Sequence, residues 1–279
     1  MTDTHDTHFR GKVIVITGAG GNFGREGAIY FAKRGAKVAA LDLNKEALKE
    51  TLKEVEATAS PVAEIMVVPC NVTDPAAIQA AVETIVMQFH HIDMLWNNAG
   101  YQGEIKPTLE YDPADFSRVM EINVTGMFIV LQAVAKQMAK QAGDKGLSIV
   151  NTSSVAGLRG TPAMVAYASS KAAVLAMTIS TSKDLAPYGI RVNAVSPALI
   201  GPGFMWNRQN ELHANSGSPY FATDPDVVAK NKIDSVPLKR LGSVEEVIKS
   251  VDFLLSDDAS YTTGTNLVCD GGMSSSIRC

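Results

Sequence analysis

The sequence of 279 residues is poor in cysteine, in aromatic residues and in charge, with three cysteines, 6% aromatic and 19% charged residues. Cys70, Cys269 and Cys279 are odd in number and have no CxxC spacing and no neighbouring group of histidines. A disulfide framework and a zinc site are therefore not expected, and reduced structural thiols are, with Cys279 exposed and oxidisable at the terminus. A net charge of -4 leaves no basic excess to neutralise a nucleic-acid backbone or an anionic membrane surface. No apolar run approaches the roughly 20 residues that span a bilayer, and the polar opening MTDTHDTHFRGK lacks the basic-then-apolar order of an export signal. A cytoplasmic protein is expected, with no metal and with neither nucleic acid nor membrane as partner. What the chain has is apolar residues, 46% of the total, which suffice for a large core. Its length is compatible with a single α/β domain, 1–279, since folds of this class keep one continuous core at such sizes.

Short β-branched runs at 13–16, 37–41, 64–68, 94–96, 148–151, 191–195 and 266–268 alternate with segments of helical period at 23–34, 45–57, 75–88, 113–140, 167–186 and 244–255. This alternation implies crossover connections and a parallel sheet covered on both faces. The prediction is an α/β, three-layer, doubly wound Rossmann fold with a seven-stranded parallel sheet. Ligands of such folds bind beyond the carboxyl ends of the strands. One stretch, 197–237, mixes Gly, Pro, aromatic and polar residues without a clear period. It reads as a substrate-loop insertion, because long loops within compact domains are usually functional.

The first strand runs into Thr17-Gly18-Ala19-Gly20-Gly21-Asn22-Phe23-Gly24 and then a helix. Gly18 and Gly20 let a backbone approach a pyrophosphate, the helix start at Asn22 and Phe23 offers N–H donors, and Gly24 permits close packing of helix on strand. Asp42 closes the second strand, 18 positions after Gly24. A carboxylate there accepts bonds from both ribose hydroxyls and repels the extra phosphate of NADP, so the expected cofactor is NAD. The competing role for Asp42 is a cap on the next helix.

Tyr167 and Lys171 stand four residues apart at a helix start, on one face. A nearby ammonium stabilises a phenolate, which makes Tyr167 an acid/base candidate near neutral pH. Ser154 follows the strand at 148–151, where its hydroxyl can meet a substrate oxygen. Taken together, the turn at 17–24, Asp42, the run Asn97-Asn98-Ala99-Gly100 and the set Asn123, Ser154, Tyr167 and Lys171 resemble the short-chain dehydrogenase/reductase family over almost the whole chain. The resemblance implies that Tyr167 transfers the proton and Ser154 polarises the substrate oxygen. It implies also that Lys171 lowers the Tyr167 pKa and binds the nicotinamide ribose, and that Asn123 holds a proton-relaying water. Asn98, Ala99 and Gly100 would line the adenosine ribose side, and Asn71 and Val72 would contact adenine. The chain departs from the family pattern in three places. Asn22 replaces a turn glycine, where its tolerance of left-handed backbone preserves the turn. Ala198 follows Pro197 in place of glycine. Pro202 replaces a threonine that meets the carboxamide, a contact left to the Ile200 backbone.

The segments at 98–103 and 201–209 are similar to bacterial NAD-dependent xylitol dehydrogenases of this family. The resemblance implies a polyol such as xylitol oxidised to a ketose, with Gln102 reading hydroxyls and Met205 and Trp206 closing over the site beside Phe204; the competing role for these apolar residues is interface or core. Two other readings stay open: a cyclic or hydrophobic secondary alcohol or ketone, and a catalytically silent NAD-binding regulator. The family also implies a homotetramer packed through the helices at 113–140 and 167–186 and the region of Asp270, Gly271 and Gly272.

Overall fold

The computed structural model describes residues 8–58, 63–141 and 146–275; Cys279 lies outside them. Seven parallel strands form one sheet: β1 Val13–Thr17, β2 Lys37–Asp42, β3 Ile65–Pro69, β4 Met94–Asn97, β5 Ser148–Thr152, β6 Arg191–Pro197 and β7 Asn266–Cys269. The order is β3-β2-β1-β4-β5-β6-β7, so the direction of winding reverses between β1 and β4. A crevice opens at such a reversal, beyond the strand ends. Val13 pairs with Lys37 on one side of β1, and Ile14 with Met94 on the other.

Alternation along the strands builds two cores. Ile14, Ile16, Val38, Ala40 and Trp96 face the helices α1 Asn22–Lys33, α2 Lys45–Thr58 and α10 Val244–Leu255. Val13, Val15, Ala39, Leu41 and Leu95 face the helices α3 Pro75–Phe89 and α5 Met127–Ala139. Strands buried on both faces and covered by crossover helices make the three-layer architecture that the alternation predicts. Trp96 is fully buried at the centre, and a Cβ on Gly27 would stand 2.2 Å from its ring, so this glycine sets how closely α1 approaches the sheet.

Two expectations are corrected. The stretch 197–237 contains two helices, α8 Phe204–Ala214 and α9 Pro225–Ser235, where no period was legible. The cause is the buried face of α8, which carries Asn210 and His213 beside Trp206 and Ala214, so its inward side reads as polar. The missed signal for α9 is Asp224-Pro225: the Asp224 carboxylate accepts from the Asp226 N–H and proline occupies the first turn. Second, α4 Pro113–Met120, a π-helical turn Glu121–Gly126 and α5 join into one helix of 27 residues whose most apolar window has mean hydropathy 1.4. By length and composition it meets the demand of a bilayer span, against the expectation of no such run. Val130, Leu131, Val134 and Met138 of this helix pack into the core.

Candidate active site

Thr17, the last residue of β1, ties two strand ends together: its Oγ1 accepts from the backbone N–H of Asn98 at 2.9 Å and of Ala99 at 3.0 Å. Gly18 then takes a left-handed φ of 69°, and a Cβ there would stand 3.0 Å from Ala99 Cα. Gly24 sits so close beneath the turn that a Cβ would lie 2.3 Å from Gly18 O. Only glycine allows both approaches. Asn22 is the first residue of α1 and is helical, so its tolerance of left-handed backbone is not what preserves the turn.

Asp42, at the carboxyl end of β2, accepts from the Gly20 N–H at 2.9 Å through Oδ2 and from the Asn44 N–H at 2.8 Å through Oδ1. The competing role as helix cap falls to Asn44, whose Oδ1 accepts from the N–H groups of Glu46 and Ala47, both at 3.1 Å. Asp42 is thus held against the glycine turn and lines the cleft together with Gly18, Asn22 and Phe23.

The β5 end supplies the opposite wall. Lys171 is 3% exposed and donates from Nζ to the Thr152 carbonyl at 2.8 Å. Burial pushes its ammonium down to about 8. The Nζ lies 5.6 Å from the centre of the Tyr167 ring. Thr152 Oγ1 accepts from the Trp96 indole at 2.9 Å and donates to Asn98 Oδ1 at 3.2 Å, so the lysine perch is fixed to β4. Ser154 Oγ accepts from the Ala156 N–H at 3.2 Å and shares a hydrogen bond with Tyr167. Burial raises the Tyr167 phenol, and the Ser154 bond opposes that. The phenol is thus raised where a lowering was expected, because desolvation outweighs the bond to Ser154, the contact that eases ionisation.

Asn123 occupies the π-helical turn, fully buried. Such turns recur at functional sites because the extra residue redirects a side chain. Its Oδ1 accepts from the Tyr101 N–H at 2.7 Å, and its Nδ2 donates to Tyr101 O at 2.8 Å and to Ser170 Oγ at 3.0 Å. The amide therefore clamps the loop after β4. A Cβ on Gly100 would stand 3.3 Å from Asn123 Oδ1 and 3.6 Å from Lys171 Nζ, so both groups converge at this glycine.

Gln102, Met205 and Trp206 line the same cleft of about 410 Å³, as do Asn98, Ala99, Gly100, Pro197 and Ile200. Asn71 and Val72 are not among its lining residues. Asn71 Oδ1 instead accepts from the N–H and hydroxyl of Thr73 within its own turn, and Val72 packs beside Gly126. Around Ile200, Leu199 O and Gly201 N bond to Gly242, which turns the N–H and C=O of Ile200 to the opposite edge. Ala198 fits without left-handed backbone, its N–H donating to Cys269 O at 3.1 Å. Sequence reasoning missed Tyr101, Leu199 and Gln209 in the cleft lining. Gln209 escaped because it lies on α8, and its amide stands 3.4 Å from Gln102 Oε1. A second cavity of about 410 Å³ continues from Ser154 and Tyr167 beneath α8 and α9. Among the described residues no cluster able to hold a metal ion is present.

The family model described as enoyl-(acyl carrier protein) reductase matches residues 18–274. A crystal structure of a short-chain type dehydrogenase/reductase from Mycobacterium marinum superposes with a TM-score of 0.82 at 29% identity, over 97% of this chain and 98% of that one. The levodione reductase of Leifsonia aquatica is 36% identical over 98% of both chains. The chain belongs to the short-chain dehydrogenase/reductase family. Within it, the chain is similar to an NAD+-bound xylitol dehydrogenase, whose crystal structure superposes with a TM-score of 0.90 at 49% identity, covering 95% of this chain and 99% of that one. The L-2,3-butanediol dehydrogenase of Corynebacterium glutamicum is 33% identical over 94% of this chain and 98% of its own.

Proposed function

We propose that this protein is an NAD-dependent dehydrogenase that oxidises a polyol such as xylitol to a ketose, with Asn123, Ser154, Tyr167 and Lys171 as its site. The observation that carries the proposal is one cleft that has Asp42 and the Gly18 turn at one end and Ser154, Tyr167 and Lys171 at the other. The residues fit a dinucleotide. The turn at Gly18 and Gly24 has no room for a Cβ, which brings bare backbone to the cleft. Asp42 has oxygens fixed by two backbone donors and directed at the place of a ribose. Met205 and Trp206 roof the middle, and Ile200 offers backbone groups at a sheet edge.

When bound, NAD supplies the hydride acceptor and a positively charged ring. With that acceptor in place, the proton of the carbinol O–H would go to the Tyr167 phenolate. Ser154 holds the oxygen on which the carbonyl forms and donates to the phenolate when Tyr167 is deprotonated. Lys171, fixed by Thr152, favours that phenolate by its charge and stands ready for ribose hydroxyls. Asn123 holds the Tyr101 loop and keeps one lone pair of Oδ1 for a relaying water.

The likeness to xylitol dehydrogenase and the paired amides of Gln102 and Gln209 support a polyol. A cyclic alcohol is the second reading, favoured by the likeness to levodione reductase and by the apolar Met164, Phe221 and Val228 in the second cavity. NADH formation from xylitol, other polyols and cyclic alcohols decides between them: the polyol reading expects kcat/KM highest on a polyol and is lost if cyclic alcohols win. A homotetramer is part of the proposal, supported by exposed Phe128 on α5 and Ile179 on the helix α7 Val165–Leu185. Solution mass tests it.

A further inference from the structure

The second cavity ends on a histidine that the scheme above does not use. His213 is 2% exposed, lies on the inward face of α8, and lines the cavity that begins at Ser154 and Tyr167. Its Nδ1 stands 2.7 Å from the carbonyl oxygen of Gln209, one turn back on the same helix. The short approach to a carbonyl oxygen favours the tautomer with its hydrogen on Nδ1, donating to Gln209 O. The Nε2 of the neutral ring is then a bare lone pair. It is buried and has no partner in the structure. Most buried polar atoms find a partner in protein, water or a bound molecule.

The surroundings oppose a charge on the ring. Phe221 packs against the imidazole with ring centres 4.2 Å apart. Lys232 Nζ lies 3.1 Å from Nδ1, donates to Asn210 Oδ1 at 2.7 Å, and sits 5.3 Å from the centre of the Trp206 ring. A cation so placed opposes a second proton on the imidazole, and burial acts in the same direction. In the tautomer that donates to Gln209 O, the neutral ring accepts at Nε2. The partner it selects is a hydrogen-bond donor on the substrate.

We infer that His213 Nε2 accepts a hydrogen bond from a second hydroxyl of the substrate, remote from the carbinol oxidised at Tyr167, and that the preferred substrates are therefore diols and polyols. The inference rests on the proposed alcohol oxidation and names the atom that would distinguish a polyol from a simple alcohol. Lys232 is a positioning residue: it touches His213, Asn210 and Trp206 and acts on the substrate only through them.

The test compares 2,3-butanediol with 2-butanol, alongside xylitol, in the parent enzyme, His213→Phe and His213→Gln, with NADH affinity measured by fluorescence to show that each variant is folded. The parent is expected to favour the diol over the mono-alcohol by at least about tenfold in kcat/KM, since a site with an unpaired buried acceptor discriminates against a substrate that lacks the donor. His213→Phe should erase that ratio, mainly through KM, and His213→Gln, which places a carbonyl oxygen near the Nε2 position, should restore part of it. A parent with no diol preference overturns the inference, as does a His213→Phe variant that keeps the parent's ratio. A parent that oxidises the diol and not xylitol removes the polyol reading but supports His213 if the variant loses the preference. A parent that binds NADH and oxidises no alcohol removes both.

Discussion

Lys171 donates to the carbonyl of Thr152 at 2.8 Å, and the hydroxyl of the same Thr152 takes the indole N–H of Trp96 at 2.9 Å. One residue at the end of β5 thus joins the buried ammonium of the cleft to a fully buried aromatic ring of the core. The perch holds a charge almost wholly withdrawn from solvent, and the consequence is measurable as stability.

Burial depresses the Lys171 ammonium to about 8 from an ordinary 10.5. Below pH 8 the folded protein bears the full cost of a desolvated charge. Between pH 8 and 10.5 the unfolded chain binds more protons than the folded one, so stability rises with pH over that window. Lys171→Met removes this slope while keeping the length of the side chain. The advantage of the variant over the parent in urea unfolding is expected to shrink by an amount on the order of 2–3 kcal/mol between pH 8 and 10.5. A difference that stays flat with pH would show the ammonium to be solvated. The same variant should lose activity.

Tyr167→Phe keeps the ring and the packing and removes the hydroxyl proposed to exchange a proton with the substrate. A fall in kcat of about 10²- to 10⁴-fold is expected, the usual worth of a positioned acid/base. NADH affinity should be little changed, because the ring edge remains. Steady-state rates with a polyol check this, and a variant as fast as the parent would remove Tyr167 from the chemistry.

Asp42→Ala addresses cofactor choice. The carboxylate is fixed by the N–H groups of Gly20 and Asn44, and its charge is the element that would repel a ribose phosphate. KM for NAD is expected to rise about tenfold, and the ratio of NADP to NAD usage by one to two orders of magnitude, as expected when a repulsive and an attractive contact disappear together. Because Asn44 caps α2 in its own right, the helix should survive, and thermal unfolding of the variant is the control.

Much of this was legible in the residues. The seven strands follow from β-branched runs flanked by helical periods, and every observed strand lies within one or two residues of its predicted range. That Gly18, Asp42, Ser154, Tyr167 and Lys171 share one cleft was legible because they stand at fixed offsets from strand ends. Other features stayed hidden for physical reasons. The π-helical turn that carries Asn123 leaves no mark on a helical period, since the apolar residues on either side keep their rhythm. Asn71 was assigned by its place after β3, yet its side chain closes its own turn on Thr73. Helix α8 buries Asn210 and His213, so hydropathy could not show it. Its meaning depends on Lys232, 19 residues further on, which only the folded chain brings within 3.1 Å of His213 Nδ1.

That pairing makes the last prediction one of acid stability. The His213 imidazole is pushed down to about 4, first by burial and then by the Lys232 charge, with the Gln209 carbonyl acting against both. Its folded pKa lies below the ordinary 6.5, so as pH falls from 6.5 toward 4 the unfolded chain takes up a proton that the folded protein refuses, and stability is lost over that interval. Above pH 6.5 the contribution is constant. His213→Gln has nothing to protonate there and should lack this part of the acid slope, so that a parent more stable at pH 7 loses its lead on the order of 2–3 kcal/mol by pH 4. Denaturant unfolding of both proteins at pH 7, 5.5 and 4.5 checks the sign. Parallel curves would mean that water reaches Nε2 and that the imidazole protonates freely, which would also deprive the cavity of its fixed acceptor. A converging pair of curves would show the ring to be held neutral by the fold in the range where the enzyme works.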